Sequence, residues 1–92
     1  MKELQKTFEG KGEVKGVIFT QLKANEYAYI YGRTDGYYEV FKRIENKQFN
    51  CISYPKSTSF GIWAWCCSNL QDAEKKFIEL SRAKNAEISH TN

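Results

Sequence analysis

One stretch limits the fold more than any other: Ser59-Phe60-Gly61-Ile62-Trp63-Ala64-Trp65-Cys66-Cys67 runs straight into Ser68 and the segment ending at Leu80. The first part has the aromatic and β-branched content of a strand, and the second has the period of an amphipathic helix. As a strand over residues 60–67, alternation puts Phe60, Ile62, Ala64 and Cys66 on one side and Gly61, Trp63, Trp65 and Cys67 on the other. The helix is expected to begin at Ser68, where Ser68-x-x-Gln71 fits a capping box and Asp72 suits the positive N-terminal end. Leu70, Ala73, Phe77 and Leu80 then share one stripe with Ile78 at its margin. Lys75, Glu79 and Arg82 face water, and Asp72 with Lys76 has the favourable i,i+4 order. A strand feeding a helix requires further strands to complete a sheet.

Those strands are found upstream. Residues 14–22 contain Val17, Ile18 and Phe19, and a turn at residues 23–26 leads into the alternating Tyr27-Ala28-Tyr29-Ile30-Tyr31. After Thr34-Asp35-Gly36 the pattern resumes over residues 37–44, the clearest hairpin signal in the chain. A two-residue Asp-Gly turn would set Tyr31 opposite Val40 and mix both faces, whereas a three-residue Thr-Asp-Gly turn with Gly36 left-handed sets Tyr31 opposite Glu39. The second is preferred. It collects Ala28, Ile30, Tyr38, Val40 and Ile44 on one face and Tyr27, Tyr29, Tyr31, Glu39, Phe41 and Arg43 on the other, leaving only Lys42 misplaced. Residues 45–58 form a long polar connection with room for a short strand near Cys51-Ile52. The expected fold is α+β: a three- or four-stranded antiparallel sheet with one C-terminal helix packed on one face. Its domain spans residues 14–84, between a flexible arm (1–13), broken by Gly10 and Gly12 and with Phe8 available to tuck against the body, and a disordered tail (85–92).

At 92 residues the chain has room for one domain, and its net charge of +3 permits an anionic partner without demanding one. The opening Met-Lys-Glu-Leu-Gln-Lys has no apolar signal core and no later run is long enough to span a bilayer, so no membrane partner is expected. Three cysteines, two of them vicinal, make a poor disulfide framework and suit a reducing, cytoplasmic setting. Cys66 and Cys67 point to opposite faces, and the single histidine, His90, lies far from them, so neither a metal site nor another cofactor is expected. Glu39 and Glu45 have no evident acid/base partner, and the chain is read as non-catalytic.

The candidate binding residues lie on the face assigned away from the helix: Tyr27, Tyr29, Tyr31, Phe41, Trp63 and Trp65, with Arg43 beside them and Arg33 at the hairpin end. Aromatics between cations can stack unpaired bases while the charges meet phosphates. The same residue types also anchor protein interfaces. A third alternative is structural: the helix, or the first strand and the long loop, covers these rings and they are core. Acids interrupt the basic positions, so a protein partner or self-association through the sheet face or a strand edge is placed ahead of nucleic acid.

The segments Gly12-Glu13-Val14-Lys15-Gly16, Tyr38-Glu39-Val40-Phe41-Lys42-Arg43, Tyr54-Pro55-Lys56 and Phe60-Gly61-Ile62-Trp63-Ala64-Trp65 resemble those of short uncharacterised proteins from gut bacteria, their phages and mobile elements. That resemblance implies a context, a small protein that binds and modulates a host protein, and no activity. The order of elements is also similar to the three-stranded sheet and C-terminal helix of plant AP2 domains and integrase arm-binding domains, which bind duplex DNA through the sheet. Here tyrosines stand where those families carry Arg and Trp, so the similarity is one of fold and adds only modestly to the nucleic-acid alternative.

Overall fold

The loop Thr34-Asp35-Gly36 sets the register of the whole sheet. Gly36 takes φ +94°, a conformation natural to glycine, while Arg33 N–H donates to Tyr37 O at 2.9 Å and Gly36 N–H to Arg33 O at 3.1 Å. This three-residue turn pairs Tyr31 with Glu39, Ile30 with Val40 and Tyr29 with Phe41, the register preferred from the sequence. The computed structural model describes residues 1–90, with side chains through residue 82. Its elements are β1 (Thr7–Glu9), β2 (Ile18–Ala24), β3 (Ala28–Arg33), β4 (Tyr38–Lys42), β5 (Glu45–Asn46), β6 (Cys51–Ile52), β7 (Ala64–Cys67) and α1 (Leu70–His90). The main sheet is antiparallel in the order β1-β2-β3-β4-β7, and β5 pairs with β6 in a separate ribbon. The fold is therefore α+β, a sheet with one helix packed against it.

The helix covers the face built from Ile30 and Val40, which are fully buried with Ala73 and flanked by Tyr38, Cys67, Phe77 and Leu80. Leu70 and Ile78, at the ends of the apolar stripe, remain exposed. Its cap lies one residue later than the sequence suggested. Asn69, not Ser68, accepts from Asp72 N–H through Oδ1 at 2.8 Å, and its Nδ2 donates to Asp72 Oδ2 at 3.1 Å. With Asp72 occupied there, Lys76 sits 4.2 Å above the Trp65 ring and 3.9 Å from Glu79 rather than pairing with Asp72. Further along, Glu74 meets Lys23 at 3.6 Å and Ser81 accepts from Asn25 at 2.9 Å, so the helix runs from β7 across the sheet towards β2.

The opposite face carries Phe19, Tyr29, Tyr31, Phe41 and Ala64, all at most 1% exposed. Each large ring removed from water contributes about 1.5–3 kcal/mol, so a sheet with rings on this side needs a cover. Two segments supply it: residues 1–13, expected as a flexible arm, and the long connection, which the structural alternative already had covering these rings. Residues 1–13 are built into the domain: Phe8 stacks on Phe19 at 5.0 Å, Tyr31 Oη donates to Gln5 O at 2.6 Å, Ile52 N–H donates to Lys2 O at 2.9 Å, and β1 adds a fifth strand. The connection after β4 forms the β5–β6 ribbon and then folds Tyr54 and Phe60 onto the same rings.

The last strand is shorter than residues 60–67. Gly61 takes φ +89°, and Ile62 and Trp63 N–H both donate to Ser59 O, at 3.1 and 3.0 Å. This turn breaks the alternation, so β7 starts at Ala64. Over residues 85–90 the backbone continues as helix, and the remainder of the expected tail, residues 91–92, lies outside the described residues. No helix among the described residues is long and apolar enough to cross a membrane.

Candidate interaction groove

The eight candidate residues do not form one exposed surface. Tyr29 and Tyr31 stack on Phe41 at 5.4 and 5.7 Å and all three are buried. None of them can offer a ring face to a base. Trp63 meets Phe41 edge-on at 6.4 Å and is half-buried at the rim of this layer. Trp65 sits across from Val40 and so belongs to the helix face, under Lys76. The two tryptophans were expected on one side; the Gly61 turn separates them. Tyr27 precedes β3, half-buried, with its N–H donating to Asn25 Oδ1 at 2.8 Å.

Both arginines are committed to carboxylates. Arg43 donates to Glu3 at 2.6 and 2.9 Å and to Tyr29 Oη at 2.6 Å, while Tyr29 Oη donates to the same carboxylate at 2.8 Å. The bonds from Arg43 and Tyr29 hold the Glu3 carboxyl down at about 2, and burial together with the Glu3 carboxylate pushes Tyr29 up to about 12. Arg33 donates to Glu39 Oε2 at 2.9 Å and to Asp35 Oδ1 at 3.0 Å, and its guanidinium lies 5.4 Å over Phe19. Tyr54 Oη donates to the other oxygen of Glu39, which is only 4% exposed. Burial and then the bond to Glu39 raise the Tyr54 hydroxyl well above the ordinary phenol range.

This Arg33–Glu39–Tyr54 cluster lies at the base of a groove of about 1040 Å³ on the face opposite the helix. One wall is the N-terminal segment with Leu4, Phe8 and Val14, and the other is the segment carrying Ile52, Tyr54, Pro55 and Phe60. Phe19 forms part of the floor, and Cys66, opposite Glu39 in the register, stands at the β7 end. A second, polar hollow of about 520 Å³ surrounds Arg43 with Glu3, Glu26 and Glu45. Within the groove the polar groups satisfy one another: among the described residues no buried side-chain nitrogen or oxygen lacks a partner. Burial pushes the Cys66 thiol up, which keeps it protonated and a weak nucleophile. Among the described residues no three His, Cys, Asp or Glu side chains are placed to share a metal ion.

Part of this site was within reach of the sequence. Once Tyr31 faces Glu39, Arg33 is a diagonal neighbour on the same face, a pairing the hairpin register implies. Phe8 docks on the body as its place in the N-terminal arm suggested, whereas the contributions of Glu3 and Tyr54 had no local signal, because each comes from a segment without a strong period. The site thus defines a sheet-and-helix domain with an apolar groove over a closed ionic base. Comparison with models of known protein families finds no match, and neither curated proteins nor solved structures give one.

Proposed function

We propose that the chain is a non-catalytic protein-interaction module that receives a segment of its protein partner in the groove. The observation that carries this is the groove's make-up: apolar walls from Leu4, Phe8, Val14 and Phe60 above an ion pair and a tyrosine that already satisfy each other. Such a cleft favours apolar groups through area removed from water and presents no unpaired group to act as an acid or base. The internal satisfaction of Glu39 and the raised Cys66 thiol argue in the same direction. Nucleic acid is the weaker partner, because the rings that would stack bases are covered and Arg33 and Arg43 are neutralised by Asp35, Glu39 and Glu3.

The test is to select peptides against the folded protein from a random display library and map their contacts by amide chemical-shift changes. Shifts are expected at Phe8, Val14 and Phe60, and Phe60→Asp should lose the peptides while still unfolding in one cooperative transition, at a lower temperature because Phe60 also covers the core rings. Peptides that shift helix residues instead would refute the groove. Salt-sensitive quenching of tryptophan by single-stranded DNA or RNA would favour the nucleic-acid alternative.

A further inference from the structure

The two edges of the sheet differ. β1 is flanked and interrupted by charge at Lys6, Glu9 and Lys11, the usual protection of an exposed edge. The β7 edge has none: residues 57–71 contain no Asp, Glu, Lys or Arg, in a chain where 27% of residues are charged. Near β7, Ile62 is 71% exposed and Leu70 38%. The helix runs away from this edge towards β2 and does not cover the outer side of β7.

Backbone accounting narrows the point of contact. Lys42 N–H donates to Trp63 O at 3.0 Å, so by alternation residues 63, 65 and 67 turn their backbone groups to β4, and residues 64 and 66 turn theirs outward. Ala64 is already engaged, bridged to Phe60 and accepting from Gly61 N–H at 2.7 Å. Cys66, an exposed residue, is left as the one position of β7 with both N–H and C=O facing out.

We infer that a second copy of this chain pairs its β7 antiparallel to β7 across a two-fold axis at Cys66. One outward residue suits that partner: a two-fold axis there satisfies all four backbone groups with two reciprocal hydrogen bonds. It places Trp65 opposite the second copy's Cys67 on the helix side. An uncharged strand meets its own copy without like-charge repulsion. Because Cys66 also ends the groove, the two grooves meet at the axis.

Sedimentation from low-micromolar to submillimolar concentration tests the pairing. The expected result is a concentration-dependent mass of twice 10.7 kDa, returned to 10.7 kDa by Cys66→Lys with an unchanged far-ultraviolet spectrum. Directly opposed strand residues in this pattern have Cα atoms about 5.5 Å apart, inside the range a disulfide spans. In a Cys51→Ser/Cys67→Ser variant, incubation with glutathione disulfide at alkaline pH should therefore link the two copies: one Cys66 thiol, on losing its proton, displaces one glutathione and forms a mixed disulfide, the second copy's Cys66 thiol displaces the other, and the two released protons go to the two departing glutathione thiols. A monomer at every concentration overturns the inference. So does a dimer that survives Cys66→Lys or does not link through Cys66. Groove-bound peptides would be unaffected by either failure, so the proposed function stands or falls separately.

Discussion

Replacing Arg33 by Met should be among the most damaging single changes in the chain. Its side chain is 13% exposed and that of its partner Glu39 5%, so the substitution leaves a carboxylate under the aromatic layer with only the Tyr54 hydroxyl as a donor. Breaking a buried pair from one side costs about 3–5 kcal/mol. A domain of 92 residues has about 5–14 kcal/mol in total at about 0.05–0.15 kcal/mol per residue. The loss is thus at least about a fifth of the stability and at the upper end all of it, and at about 4–8 °C per kcal/mol the melting point should fall by about 12–40 °C. Urea unfolding followed by tryptophan fluorescence reads this, since Trp63 rests against Phe41. The control is Arg33→Met/Glu39→Gln, which removes the charge while leaving an acceptor for Tyr54, and should recover about 2 kcal/mol or more of the loss. Asp35→Asn removes only the exposed partner and should cost within about 1 kcal/mol. If Arg33→Met itself costs under about 1 kcal/mol, or the double variant is no more stable than the single, the pair is behaving as a surface contact and its place in the core is wrong.

Three other perturbations address separate joints of the structure. Glu3 titrates at about 2 in the folded chain against 4.5 unperturbed, so its link to Arg43 contributes fully above about pH 4.5 and fades as pH falls through 2. Its side chain is 56% exposed, which limits the effect to about 1 kcal/mol; melting points of wild type and Glu3→Gln should differ at neutral pH and converge near pH 2. Asn69→Ala should cost about 1 kcal/mol in chemical denaturation through loss of the helix cap, while Ser68→Ala should be near neutral. At Gly10 a methyl group would lie 2.5 Å from Val14 O and 2.9 Å from a Phe19 ring atom, so Gly10→Ala should lower stability by about 1–3 kcal/mol, and an unchanged urea midpoint would show that the N-terminal segment is not seated as described.

What the sequence made legible follows the reach of its signals. The Thr34–Gly36 turn and the alternation beside it specify the β3–β4 register, because a slip of one residue would exchange buried Tyr29 and Phe41 for the opposite set. The α1 stripe was equally plain at Ala73, Phe77 and Leu80. Misplacements occurred where one residue outweighs a pattern. Gly61 ends the alternation that would have put Trp63 beside Trp65, and Asn69 competes with Ser68 as a cap only one position away. The N-terminal segment was harder still: its single anchor ring, Phe8, is separated by Gly10 and Gly12 from the next strand, and only a preformed aromatic layer gives it somewhere to go.

That dependence explains why a groove exists at all. An aromatic sheet face with no helix over it must be closed by whatever chain remains, and here two segments approach it from different parts of the sequence. The N-terminal one is fastened by Glu3, Gln5 and β1, the other by Tyr54 and the β5–β6 ribbon. They close over Tyr29, Tyr31 and Phe41 but leave a seam lined by Phe8, Val14 and Phe60, with Arg33 and Glu39 beneath. The floor is built on strands and held by paired charges, so its geometry is fixed. The walls are short strands and turns at the margin of the sheet, so they yield to a partner's shape before the central strands do. A binding surface on this fold therefore forms where the two covers fail to meet, on rings that the sheet presents and those covers have only partly hidden.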